Sequence, residues 1–420
     1  MAGFERNPMP DPISGIRQIR EVTATARPLF LYMFARVLPS VATLLFTMIA
    51  IHHLTAAEYG VYSLAYLPSM IAATFAGALV SQPILRFGTR FDMWSKKMAL
   101  KYVPAGLAVS IIPLVWFYEH VNGISGDVLT IAMLIMPLMS LMDTRRNYFI
   151  SMSRPGSVFL LDAVRSVSSV LCLLLLLKIG WVTAKAPLAA ICCGMALCLF
   201  AAPSRPKIVD AREAIRLSSK HLLYGFWVGW WLVLMGAFPF FERLLVARHF
   251  GNAAAGVYAS IADPIIATTS ATGSVLVSVL MPKFVKAWDA GDQRGIRRLT
   301  GYGVGGIVVS LFFSLVVGLV IMRLFNGHWL GLLRNHESLA LVLLLGGGVW
   351  QVTVFFHKRL ELKVKTIYML ISIMIAMLFF LSITYLVIGV YGLLGVAFAK
   401  LMSGWVYMLF VEMFTRRRSM

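Results

Sequence analysis

Charged side chains are scarce in this chain: only 13% of its 420 residues are Asp, Glu, Lys or Arg, about half the share found in an average soluble domain. Acidic residues are the scarcest, 18 against 38 basic ones. Length alone would allow two or three soluble domains, but too few polar side chains remain to cover them. Cysteine is nearly missing. Cys172, Cys192, Cys193 and Cys198 lie inside apolar stretches without zinc-finger spacing, which argues against a disulfide framework or a thiolate metal centre. The eight histidines show no HExxH spacing. The glycine-rich runs GYGVGG (301–306) and GGG (346–348) lack the Lys-Ser/Thr of a phosphate loop, so close helix packing is their default role. His52-His53 reads as an interfacial pair, and Trp227, Trp230 and Trp231 read as bundle packing.

What the chain has in quantity is apolar sequence: 59% hydrophobic residues and a mean hydropathy of +0.81. A spanning helix needs roughly 20 mostly apolar residues. Such stretches recur at 28–51, 61–85, 102–119, 126–149, 157–178, 186–203, 222–247, 257–281, 302–325, 338–356, 367–388 and 391–414. The expected fold is therefore an all-α polytopic membrane protein of about twelve transmembrane helices. The polar, Pro-rich and basic stretch 1–27 does not read as a cleavable signal.

The net charge of +20 first suggests nucleic acid. Placement overturns that reading, because the charges sit in short loops and set orientation. With both termini cytoplasmic, inner segments carry 29 Lys and Arg, outer segments carry six (Lys178, Lys185, Arg243, Arg248, Arg323 and Arg334), and three lie within spans. A missed or invented span would scramble that alternation. The outer loops run roughly 5 to 15 residues. Polytopic glycosyl- and acyltransferases usually need a larger loop or domain over the site, so the expectation is a protein that is not an enzyme.

An internal repeat appears at an offset of 196 residues. HLTAAEYGVYSLAYLPSMIAATFAG (53–77) matches HFGNAAAGVYASIADPIIATTSATG (249–273) at seven of 25 positions, including Gly60/Gly256, Tyr62/Tyr258 and Pro68/Pro264; chance would give about two. Both copies enter the membrane in the same direction, as in parallel repeats. The predicted organisation is a cytoplasmic tail (1–27), an N-lobe of six spans (28–203), a cytoplasmic connector with a basic amphipathic helix (204–221), a C-lobe of six spans (222–414) and a cytoplasmic tail (415–420). Parallel repeats place a substrate path at their interface near the midplane, and the two prolines can bend helices along it.

Three cations fall near mid-depth. Arg36 lies about 13 Å in from Arg27, Arg165 about 16 Å from Arg154, and Lys400 about 13 Å in from the start of the last span. Burying each charge costs at least about 2.5–3.5 kcal/mol. They are the candidate substrate-binding residues, because Arg offers a fork and Lys a point charge to phosphate oxygens. Asp162 and Arg165, three residues apart on one face, could instead neutralise each other. Asp162, Asp263 and Glu242 are candidates for coupling to H+ or Na+, since a buried carboxylate suits a proton carrier. Arg243 adjoins Glu242 at the outer mouth. Asp143 and Arg146 could form an inner entry gate or anchor the interface. No metal or other cofactor is expected.

The (E/A)(Y/A)GVY elements at 58–62 and 254–258 resemble the polysaccharide flippases of the multidrug/oligosaccharidyl-lipid/polysaccharide (MOP) superfamily. So do Glu242-Arg243 followed by Gly251, Gly256 and Tyr258, and the segment YGLLGVAFA (391–399). Glu242 stands where Asp is commoner in that family. The resemblance implies a two-lobe, MATE-like bundle in a bacterial inner membrane. It would move an undecaprenyl-pyrophosphate-linked oligosaccharide between leaflets by alternating access, with polysaccharide polymerase or export proteins as further partners and no nucleic acid. The rivals are an exporter of another solute or drug on the same scaffold, a polytopic transferase, and a structural partner of a polysaccharide synthase.

Overall fold

A computed structural model describes residues 38–87, 124–151, 154–201, 219–324, 328–363 and 365–416. The described residues are helical almost throughout: α1 Leu38–His53, α2 Ala56–Phe87, α3 Gly126–Ser151, α4 Pro155–Lys178, α5 Lys185–Ala201, α6 Ser219–Asp289, α7 Gln293–Leu324, α8 His328–Asn335, α9 Glu337–Leu362 and α10 Thr366–Arg416. Seven of them are long and apolar enough to cross a membrane, and α1 and α5 are shorter apolar helices. Most described helix ends fall within a few residues of those expected from hydropathy, but α6 runs on to Asp289, α7 starts already at Gln293 and α9 ends at Leu362, six to nine residues beyond the expected bounds. The expected span 102–119, the N-terminal tail, most of the connector and residues 417–420 of the C-terminal tail lie outside the described residues.

Lipid is the solvent for this surface. Phe200 is 88% exposed and Phe312 69% exposed. Large apolar side chains left outside in such number fit a hydrocarbon surrounding, where backbone groups must be satisfied within each helix. The protein is an all-helical, multi-span membrane protein.

Glycine interrupts the two longest helices. Gly251 (φ 84°) breaks α6 into arms 219–250 and 252–289, and Gly392 (φ 57°) breaks α10 into arms 366–391 and 393–416. Positive φ is costly for a residue with a Cβ, so these two positions turn one hydrophobic helix into two.

Two large apolar cores form among the described residues. The first gathers Phe46, Tyr62, Met142, Leu161, Leu173 and Met195. The second gathers Phe238, Tyr258, Leu343, Phe380 and Tyr407. Helix α2 joins them by lying along α6. Gly225 faces the Leu79 carbonyl and Pro83, Gly229 faces Phe75, and Gly236 faces Ile71, while Leu64 and Leu67 pack with Phe240 and Leu244. Small residues let the two backbones approach, the usual means of packing in lipid. The GGG run serves the same end in α9: Gly347 abuts Thr269 and Gly348 abuts Leu311. Trp231, as expected, packs inside the bundle against His357.

Candidate translocation site

A cavity of about 360 Å³ opens between the two cores. One wall comes from α1, α2, α4 and α5, and the other from the two arms of α6. Tyr62 and Tyr66 line it from α2, with rings stacked at 5.8 Å. Ser166, Ser169 and Ser270 add hydroxyls. Its charged lining residues are Arg165, Arg243 and Asp263.

Arg243 and Asp263 are joined across the α6 break by an ion pair. Asp263 also accepts a hydrogen bond of 2.7 Å from the Tyr59 hydroxyl, through its other oxygen. One carboxylate thus ties α2 to both arms of α6. The Arg243 side chain is 4% exposed and that of Asp263 is 23% exposed, so the carboxylate is the more open member. Arg165 differs. It is half-buried on α4, and among the described residues no carboxylate lies within ion-pair distance of it.

Glu242 and Arg243 are neighbours in sequence but face apart, as a turn of about 100° per residue requires. Glu242 points into the second core. There Lys400 Nζ donates to its Oε2 at 3.1 Å and lies 2.9 Å from Oε1, and the Tyr258 hydroxyl donates to Oε2 at 2.8 Å. All three residues are buried. Sequence position grouped Lys400 with the substrate cations; the structure instead holds its charge on Glu242, away from the cavity lining. Arg36 lies outside the described residues.

The alternative pairing of Asp162 with Arg165 does not form; Asp162 takes another partner. Arg146 Nε on α3 donates to both oxygens of Asp162 on α4, at 3.0 and 2.9 Å. Asp162 is only 2% exposed, so this pair clamps two helices of the first core. Asp143 sits half-buried beside Gly77. Arg145 donates to the Leu199 carbonyl at 2.7 Å. Sequence reasoning missed Tyr59 and Tyr258 as carboxylate partners; the GVY repeat that holds Tyr258 was the available signal.

The fold is similar to that of several solved membrane proteins. Lipid II flippase MurJ in an inward closed conformation is similar with a TM-score of 0.64 and 13% identity, over 92% of this chain and 86% of that one. The Vibrio cholerae MATE transporter VcmN is similar with a TM-score of 0.58 and 12% identity, over 94% and 98%. A MOP superfamily transporter from Pyrococcus furiosus is similar with a TM-score of 0.52 and 14% identity, over 93% of each chain. The chain shares the fold of these transporters. No family model matches it, and no curated protein matches its sequence.

Proposed function

We propose that this MOP-fold protein is a flippase, not an enzyme, and that it carries a lipid-linked oligosaccharide across a bacterial inner membrane by alternating access. The supporting observation is Arg165, a half-buried guanidinium that lines the central cavity with no carboxylate beside it among the described residues. Such a group favours an anionic visitor, and a guanidinium fork suits a pyrophosphate. Arg243 is already offset by Asp263, so it adds no net charge until that pair parts. Arg36 is proposed as a second headgroup cation. Lys400, locked on Glu242, serves the reading by fixing the helix that presents Arg243.

Counting each glycine-broken helix as two spans, and adding the two short helices and the stretch 102–119, the reading has twelve spans. These form lobes 28–203 and 222–414 joined by 204–221, with both termini cytoplasmic and the charge bias of the loops as support. Lipid II flippase MurJ, a flippase by its name, is among the similar structures and supports the reading. A cavity of about 360 Å³ is at the small end for a ligand site. A whole repeat unit therefore requires a wider state than the one described.

A second reading has its own observation. The partly exposed Asp263 beside Tyr62 and Tyr66 forms an acidic, aromatic wall, which suits an ion-coupled exporter of another solute or drug. The deciding experiment is reconstitution in liposomes with a fluorescent undecaprenyl-pyrophosphate oligosaccharide. Flipping by wild type and its loss in Arg165→Ala support the flippase. Unimpaired flipping by Arg165→Ala removes the anion site, and turnover of the donor to a new product would make the protein an enzyme.

A further inference from the structure

A second, larger cavity lies at the far end of the bundle from Gly251 and Gly392. It measures about 710 Å³ and is built where α6 ends, α7 starts, and α9 and α10 end. Among the described residues, four cations line it, Arg297, Arg359, Lys363 and Arg416, against one carboxylate, Glu412. Trp288, Ile296 and Phe356 supply apolar wall.

The internal contacts leave this charge under-compensated. Glu412 accepts from Arg416 Nε at 2.9 Å and only loosely from Arg359, at 3.4 Å. The other Arg359 contacts are neutral: Thr300 Oγ1 at 3.1 Å and the Phe356 ring at 5.6 Å. Its buried Nε has no hydrogen-bond partner. Lys363 donates to the Thr415 carbonyl at 3.0 Å, another neutral acceptor. Loop cations that merely set orientation can spread into water or headgroups. Here four converge on one concavity, and bringing like charges together costs free energy unless an anion joins them.

The geometry points to a phosphate-binding site in this cavity, separate from the central one, taking the phosphate of an anionic lipid headgroup or a free phosphate ion. Arg359 and Lys363 reach from α9, Arg297 from α7 and Arg416 from α10, so an occupant would cross-link three helix ends. The apolar wall leaves room for the glycerol and upper acyl portion of a lipid. This site is independent of the flippase reading and stands or falls without it.

The test uses the purified full-length protein with two probes. Native mass spectrometry measures retention of phosphatidylglycerol against phosphatidylcholine, and calorimetry measures inorganic phosphate. Arg359→Gln and Arg416→Gln should each weaken binding about tenfold or more, the equivalent of one charge-assisted hydrogen bond. Arg298→Gln, an exposed cation on α7 next to Arg297 that does not line the cavity, should leave it unchanged. Arg416 is 79% exposed, so its variant tests the site without threatening the fold. Loss of phosphatidylglycerol binding alone identifies a lipid headgroup, and parallel loss of phosphate binding identifies free phosphate. Equal binding by wild type and both lining variants, equal loss in Arg298→Gln, or no preference for the anionic probes overturns the proposal.

Discussion

Gly60 of α2 and Gly256 in the second arm of α6 meet backbone to backbone. A Cβ on Gly60 would clash with the Asn252 carbonyl oxygen, and one on Gly256 with that of Ala56. The two glycines occupy equivalent positions in the 196-residue repeat. The repeats therefore cross at their own matched small residues, and the crossing closes one end of the space whose lining begins at Tyr62 and Asp263. The alternating access proposed above requires this contact to part and re-form.

Leucine at either glycine should hold that end open. Overpacking costs about 1–3 kcal/mol, enough to shift a two-state population by roughly tenfold. Ala57 and Ala253 are exposed and repeat-matched at the same end. Spin labels there, in a background without the four native cysteines, should show a longer distance in Gly60→Leu and Gly256→Leu. An unchanged distance distribution would mean that the contact is not what seals this end.

The Glu242–Lys400 pair gives a stability prediction. Removing one member of a buried pair strands the other charge and costs about 3–5 kcal/mol, whereas replacing both with apolar groups costs far less. Glu242→Met and Lys400→Met should each lower the melting temperature of the detergent-solubilised protein strongly. The double variant should recover most of the loss. Additive losses would show that the two side chains are not energetically coupled. Defective transport by Lys400→Met should follow its stability loss, with substrate affinity unchanged in the protein that remains folded.

Arg146 and Asp162 should behave as a clamp. Arg146→Ala strands a carboxylate that is 2% exposed, at a cost of about 3–5 kcal/mol. Destabilisation should appear without a change in the apparent KM for the transported substrate. A raised KM at normal stability would restore the entry-gate reading of this arginine.

Helix positions were legible in the sequence because lipid demands an unbroken apolar run for each crossing, and α3 at Gly126–Ser151 answers the expected 126–149 almost end to end. Partner choice was not legible. Local spacing pointed to Asp162 with Arg165, but the partner comes from a crossing helix, 16 residues away in Arg146. Lys400 finds Glu242 over 158 residues, and Tyr59 finds Asp263 over 204. Mid-depth position along a span says that a charge must be satisfied. It does not say whether cavity or core supplies the partner, and that difference separates Arg165 from Lys400.

Asp263 offers the test of ion coupling. It holds Tyr59 on one oxygen and Arg243 on the other, so one carboxylate adds a polar link to the packed contact between α2 and α6. Tyr59→Phe removes one hydrogen bond, worth about 1–3 kcal/mol when the acceptor is charged, and should loosen the tie while leaving ion dependence intact. Asp263→Asn removes the charge itself and leaves Arg243 uncompensated. In proteoliposomes with an imposed proton or sodium gradient, transport by Tyr59→Phe should still respond to the gradient. Transport by Asp263→Asn should be slow and equal with or without it. A gradient response that survives in Asp263→Asn would move the coupling site to another carboxylate.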